Sequence, residues 1–429
     1  MVSDRLASSL AARGVHYGWV VAGVAFLTSL TTAGAVGLPG AFILPLSKEF
    51  GWDAAQISGA LAIRFALFGL MAPFAAALIG RYGMRRMMLL ALALVSISFL
   101  GALAMTELWH FVALWGVVIG VGTGLTALVL GATLANRWFV ERRGLVLGMM
   151  AAATATGQLV FLPLAAMLIE SYGWRAALIP SIVAFGLVAL LVALFMRERP
   201  ADLGLPAYGA TQIEPAPTLT GSPAAAAARA FGILGEASHS PTFWILFATF
   251  FICGLSTNGL VQTHFIPLCA DYGIGPVQAA STLAIMGLFD VVGTVGSGWL
   301  SDRYDNRWLL FWYYGLRGLS LLWLPFSGFS VFGLSIFAVF YGLDWIATVP
   351  PTARLSGASF GPEKAPIVFG WIFAGHQIGA AIAAFGGGAS RTAFLSYLPA
   401  FALAGAACLI AAGLIVLMRD IRKPQAAPA

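Results

Sequence analysis

The sequence predicts an all-α integral membrane protein whose twelve transmembrane helices form two pseudo-symmetric six-helix bundles. Three observations carry that prediction. Of the 429 residues 60% are hydrophobic and only 9% charged, with a mean hydropathy of +0.90, whereas a soluble domain carries about 25% charged residues. Twelve apolar runs, most near the roughly 20 residues that a helix needs to cross about 30 Å of hydrocarbon, alternate with short polar turns. A single long segment rich in Pro, Gly, Ala and Thr divides the runs six and six.

The opening "MVSDRLASSLAARGVH" is short and polar, and the run behind it is long enough to span, so the first helix is expected to be retained rather than cleaved as a signal. The runs fall near 18–45, 54–79, 86–106, 109–135, 144–168 and 175–197, then 242–268, 277–301, 308–327, 330–352, 366–388 and 394–418. Between the two sets, "RERPADLGLPAYGATQIEPAPTLTGSPAAAAARAFG" cannot build a core and reads as a flexible linker. The expected organisation is an N-terminal bundle over 1–197, a cytoplasmic linker over 198–240 and a C-terminal bundle over 241–429.

Charge orients the chain. With the N-terminus inside, eighteen of the 23 Lys and Arg fall in cytoplasmic segments, three (Lys48, Arg175, Arg391) fall in outer loops, and Arg64 and Arg317 fall inside apolar runs. This positive-inside bias predicts cytoplasmic termini. It also explains the formal charge of +6 without a nucleic-acid partner. Cys253, Cys269 and Cys408 lack metal-ligand spacing and read as small packing residues. No phosphate-binding loop, H-E-x-x-H or G-x-S-x-G run is present, so neither an ATP-driven machine nor an enzyme is expected, and no cofactor or metal.

The halves echo each other in their loops. After the second run the chain reads "AALIGRYGMRR", and after the eighth "GWLSDRYDNR". At these residues the sequence resembles the major facilitator superfamily, whose loop signature is G-x-x-x-D-R-x-G-R-R. The second copy keeps Gly298, Asp302 and Arg303; the first keeps Arg81, Gly83, Arg85 and Arg86 but has Gly80 for the aspartate. The physical role is a charge latch, in which a carboxylate at a helix end bonds neighbouring helix termini and arginines. Across helices 4 to 6, Trp138, Phe139, Arg142, Arg143, Gly148 and Gly157 resemble the monocarboxylate transporter and oxalate/formate antiporter branch. The helix 5 glycines would permit close helix approach.

Ionisable groups at membrane depth cost at least about 2.5–3.5 kcal/mol on insertion scales and normally face a partner or cavity. Arg64, Asp290, Arg317, Asp344 and His376 are such groups. Arg317 is read as a structural brace that turns inward to meet Asp290 or Asp344. Tyr341, Asp344 and Thr348 share a helix face by spacing, and Pro350-Pro351 are placed to end or hinge that helix. His376 occupies the place of the lysine that oxalate/formate-type antiporters present in helix 11; it reads either as a proton-carrying anion ligand or as a packed neutral ring. Asn258 and Gln262, four apart, are expected to present amides on one side of helix 7.

The chain departs from the resemblance at two cations. With Asp290 aligned to the helix 8 aspartate of monocarboxylate transporters, Thr294 stands where the arginine should be, and their helix 1 lysine falls at about Gly37. Arg64 is the available substitute. The expected function is secondary active transport of a small organic anion, a monocarboxylate, by alternating access with proton coupling. The expected ligands are His376, Arg64, Asn258, Gln262, Thr294 and Tyr341, with Asp290, Asp344 and His376 carrying protons. Export of drug-like or amphipathic compounds is the alternative, and a non-transporting sensor lacks any signalling domain. The expected partners are the substrate, protons and the bilayer, with the chain acting as a monomer in a bacterial cytoplasmic membrane.

Overall fold

The computed structural model describes residues 2–126, 128–213 and 223–418. Arg419, Arg422 and Lys423 of the charge pattern, and the linker centre 214–222, lie outside the described residues. The first bundle comprises α1 (Gly18–Gly37, continued by Pro39–Phe50), α2 (Ala54–Tyr82), α3 (Met84–Leu103), α4 (108–138), α5 (Arg143–Tyr172) and α6 (Trp174–Phe195). The second comprises α7 (Pro241–Asp271), α8 (Pro276–Ser301), α9 (Asn306–Trp323), α10 (Val331–Gly361), α11 (Glu363–Phe394) and α12 (Leu398–Val416). Nine helices among the described residues are long and apolar enough to cross a membrane. Interrupted α4, α5 and the arginine-bearing α9 complete the twelve.

Turns alternate between two faces, and one of them, the basic face, carries the loops at 83, 139–142 and 302–305. Two joints are single glycines: Gly83 (φ 88°) links α2 to α3 and Gly173 (φ 83°) links α5 to α6. That backbone region favours glycine because no Cβ opposes it. On the other face Asp53 opens α2 with a reciprocal capping box to Gln56, which satisfies two otherwise orphaned N–H groups.

The first and fourth helices of each bundle are interrupted near their middles. α1 turns at Leu38 before Pro39, where a ring without an N–H restarts the helix. α4 contains a π-helical stretch, Val112–Val118, and a turn at 125–126. α7 contains the π-helical stretch Leu255–Val261, and α10 unwinds at 345–348. Two expectations change as a result. The run at 18–45 is two helices, and Pro350-Pro351 do not end α10 but open its second segment, which starts at Val349.

Small residues bring helices to backbone contact where lipid supplies no hydrophobic drive for packing. A Cβ on Gly116 or Gly120 of α4 would lie 3.0 or 2.9 Å from the carbonyls of Ala60 and Arg64 in α2. On α5, a Cβ on Gly157 would run into the Leu30 carbonyl, but one on Gly148 would meet nothing within 4 Å, so only one of the two glycines named from sequence is a packing site. A Cβ on Gly254 of α7 would run into the His376 carbonyl of α11, and, equally tight, one on Gly293 of α8 would run into the Leu343 carbonyl of α10. Gly293→Val should therefore overpack this seam and destabilise by about 1–3 kcal/mol, while Gly148→Ala leaves thermal unfolding in detergent unchanged. Equal melting of both variants would contradict this packing.

The bundles meet through α2 on α11 and α5 on α8. At the face opposite the basic one, Gly40 of α1 packs on the Gln262 and Thr263 carbonyls of α7, Gly388 of α11 packs on Ala54 and Ser58, and Ala55 N–H donates to Thr392 Oγ1 at 3.3 Å. The linker corrects the expectation of a flexible tether wherever it is described. Tyr208 exchanges backbone hydrogen bonds with 138–141, and His16 Nε2 lies 2.9 Å from the Pro206 carbonyl. The helix Pro223–Ala237 docks on α2 and α11: Trp371 Nε1 donates to Ala230 O at 3.0 Å, and Phe231 touches Phe74 and Trp371. Apolar side chains every third or fourth residue of that helix (Ala230, Ile233, Ala237) are buried, so burial of this stripe offsets the entropy of ordering it.

Candidate functional site

Arg317 of α9 has a fully buried side chain and turns into the second bundle. Its Nε donates to Asp344 Oδ2 at 2.7 Å, its Nη2 donates to the carbonyls of Asp344 and Trp345, and its Nη1 lies 3.0 Å from Cys253 Sγ. The guanidinium thus neutralises a carboxylate and also satisfies carbonyls freed by the break in α10. Tyr341 donates to the Ser256 carbonyl at 2.6 Å, and Thr348 Oγ1 lies 3.3 Å from Cys253 Sγ. The face shared by Tyr341, Asp344 and Thr348 is therefore turned toward α7 and α9 and engaged there.

Asp290 does not borrow Arg317. Its Oδ1 accepts from Ile346 N–H at 2.8 Å and from Thr294 Oγ1 at 3.1 Å. Ile346 lies within the unwound turn of α10, so the carboxylate caps backbone that the break leaves unpaired. Two turns further along α8, Ser297 donates to the Ala347 carbonyl at 2.5 Å. α8 thus holds the α10 turn through two polar side chains, with Thr294 engaged on Asp290.

Arg64 is arranged differently. It is buried, donates through Nη1 to the Val36 carbonyl at 2.9 Å beside the break in α1, and lies 4.4 Å over the Phe65 ring. Among the described residues no carboxylate comes within ion-pair distance of it. Gly37, where the resemblance placed a missing lysine, adjoins the carbonyl it holds. One turn along α2, Phe68 meets Phe373 of α11 edge-on at 5.9 Å, and Phe373 stacks on His376 at 5.8 Å and 8°. Phe250 covers the same imidazole at 4.8 Å. The Phe68–Phe373 pair crosses the seam between the bundles and reaches His376, one turn along α2 from Arg64.

His376 is buried with Nδ1 unbonded, which places it in an aromatic slot rather than at an ion pair. Asn258 lies in the π-helical stretch Leu255–Val261 and Gln262 follows it directly; Thr263 Oγ1 donates to the Asn258 carbonyl at 2.9 Å. Gln262 is buried with both amide atoms unpartnered, while Asn258 is half-buried.

The two loop latches close on different acids. In the second half Asp302 pairs with Arg354 of α10, whereas Arg303 lies 4.1 Å over the Trp299 ring. Beside it, a hydrogen bond from Arg307 holds the Asp305 carboxyl below the usual carboxylate range. In the first half the missing aspartate is replaced from a distant point. Glu198, just after α6, accepts from the backbone N–H groups of Met84 and Arg85 at 2.6 and 2.8 Å and pairs with Arg137 at 3.3 Å. Arg85 donates to the Ala193 carbonyl, Arg143 to the Phe139 carbonyl, and Arg142 (φ 59°) lies 5.8 Å from the Tyr208 ring centroid. Arg86 is exposed. Sequence reasoning missed Glu198, which "RERP" displays as an acid flanked by arginines, and missed Cys253 and Ser256 as neighbours of Arg317.

Two six-helix bundles in contact along paired helices, with interrupted helices around polar groups near mid-membrane, define a membrane transporter. The family model of the Major Facilitator Superfamily matches residues 24–384 and 265–429, and the chain belongs to that superfamily. It is 25% identical to the MFS-type transporter YcxA of Bacillus subtilis over 87% of each chain. It is 27% identical to monocarboxylate transporter 13 of Rattus norvegicus, covering 94% of this chain and 89% of that one. Among solved structures, the partially occluded, inward-open xylose transporter XylE from E. coli superposes with a TM-score of 0.68 at 14% identity, over 92% of this chain and 98% of XylE. A bacterial homologue of the human lysosomal transporter Spinster, inward-facing and unoccupied, superposes with a TM-score of 0.69 at 16% identity, over 94% and 95%.

Proposed function

We propose that this transporter moves a small monocarboxylate together with a proton by rocking the bundles 1–197 and 241–429 about the α2–α11 and α5–α8 seams. The observation that carries the reading is Arg64: a buried guanidinium with no carboxylate in ion-pair distance among the described residues, beside the broken α1. A buried cation left unpaired is costly, and a substrate carboxylate would supply the missing charge with bidentate geometry. The apolar body of the substrate would lie along Phe68 and Phe373, with the half-buried Asn258 amide available for a hydroxyl or keto oxygen. The similarity to monocarboxylate transporters over almost the whole chain supports this substrate class. Arg317 braces the second bundle through Asp344 and is not a ligand in this reading; Tyr341 and Thr294 serve the bundle interior.

Asp290 is the proposed proton carrier. It takes or releases a proton without breaking an ion pair. As a carboxylate it grips Ile346 N–H, and protonation weakens that bond and loosens the unwound turn of α10, so proton uptake acts directly on a helix of the second bundle. The arrangement fits a monomer in a bacterial inner membrane with its basic face, and both chain ends, in the cytoplasm. In proteoliposomes, an imposed pH gradient should drive accumulation of a labelled monocarboxylate. Asp290→Asn should abolish that accumulation while leaving exchange of internal for external substrate. Gradient-driven accumulation undiminished in Asp290→Asn would remove Asp290 from the coupling.

The aromatic seam also favours one competing reading, export of amphipathic compounds. Competition distinguishes the two: unlabelled monocarboxylates should suppress uptake, and neutral analogues of the same carbon skeleton should not.

A further inference from the structure

The second-half latch closes on its own loop carboxylate, Asp302 with Arg354. The first-half loop has Gly80 at that position, and the space is open: a Cβ built on Gly80 meets nothing within 4 Å. Gly80 lines a hollow on the basic face together with Arg81, Gly83, Arg137, Glu198 and Arg199. Glu198 is engaged by Arg137 and by the first two N–H groups of α3. Among the described residues neither Arg81 nor Arg199 has a carboxylate within ion-pair distance. Three guanidinium groups stand around the Glu198 carboxylate, and with Asp202, which accepts from the Arg199 N–H at 3.0 Å, the neighbourhood keeps a surplus of one positive charge.

We propose that this hollow binds a phosphate group, which joins Glu198 in neutralising the surrounding arginines and completes the first-half latch. Several observations select that chemistry. Guanidinium groups match phosphate oxygens in bidentate fashion, and one phosphate carrying one to two negative charges balances the surplus. The hollow gathers residues from the ends of α2 and α4 and from the segment after α6, at the basic end of the bundle where the spans meet their loops. Basic pockets between spans at such a level accept anionic lipid headgroups, and inorganic phosphate offers the same oxygens. Bound there, the group would tie the α2–α3 loop to Arg137 and Arg199, as Asp302 ties the α8–α9 loop to Arg354.

The test uses the full chain. Thermal unfolding is followed in detergent with added inorganic phosphate, and in nanodiscs of phosphatidylglycerol against nanodiscs of phosphatidylcholine alone. The expected result is a rise in melting temperature with one or both probes. A rise with phosphatidylglycerol alone identifies a headgroup; a rise with inorganic phosphate identifies the free ion as sufficient. Titration should show affinity weakened about five-fold for each of Arg81→Gln and Arg199→Gln, following the worth of one arginine near a charged surface. Gly80→Asp, which supplies the missing carboxylate internally, should abolish the response, and Gly80→Ala should retain it. No rise with either probe would overturn the proposal. A rise of the same size in Gly80→Asp and in the two arginine variants would also overturn it, because that describes surface adsorption.

Discussion

Arg317→Met, with Asp344 left in place, is expected to lose about 3–5 kcal/mol of stability, the cost of stranding one partner of a buried pair. The loss should be visible as a large drop in melting temperature and in the fraction of monodisperse protein. The physical basis is the full burial of the guanidinium against Asp344 Oδ2 at 2.7 Å. Two carbonyls at the α10 break, those of Asp344 and Trp345, lose their donor in the same step. The double variant Arg317→Met/Asp344→Leu should recover most of the melting temperature, since replacing both charges with apolar groups is often neutral or better. If the single variant melts like the parent, the pair is not holding the second bundle together. If the double variant fails to recover, the carbonyl bonds outweigh the ion pair.

The second large effect is expected at the opposite bundle. Arg64→Gln should raise the apparent KM for a monocarboxylate at least about thirty-fold, the lower end of the 2–5 kcal/mol that follows truncation of a buried charge partner. Its melting temperature should hold or rise, because an uncompensated buried cation is removed. Those two readouts separate a substrate ligand from a brace. Were Arg64 needed chiefly to satisfy the Val36 carbonyl at the α1 break, the variant would unfold more easily and keep its KM. Arg64→Lys should fall between, having the charge without the bidentate fork.

Arg317 and Arg64 also show where sequence reasoning stopped. Both were visible as rare charges in apolar runs, and both were expected to face inward. Which of them is neutralised was not visible: the spacing permits Arg317 to meet Asp290 or Asp344, and only the relative axial position of α8, α9 and α10 selects Asp344. The amides at 258 and 262 show the same limit: their spacing says nothing of depth, and the structure buries Gln262 with its amide unpartnered while Asn258 is half-buried.

By itself the sequence determined the helical membrane class, the apolar runs, the bias of basic residues toward alternate loops and the small set of charges inside the runs. Each of these follows from composition along the chain: hydrocarbon thickness sets the run lengths, and the cost of burying charge makes every exception visible. Tertiary structure alone decided the partners: Glu198 in place of a loop aspartate, Asp290 on a backbone amide of α10, and Arg64 with no acid beside it among the described residues. The reason is that lipid-facing and bundle-facing surfaces are both apolar. A membrane helix therefore carries little periodic signal for its rotation or depth, and those two quantities fix which polar groups meet.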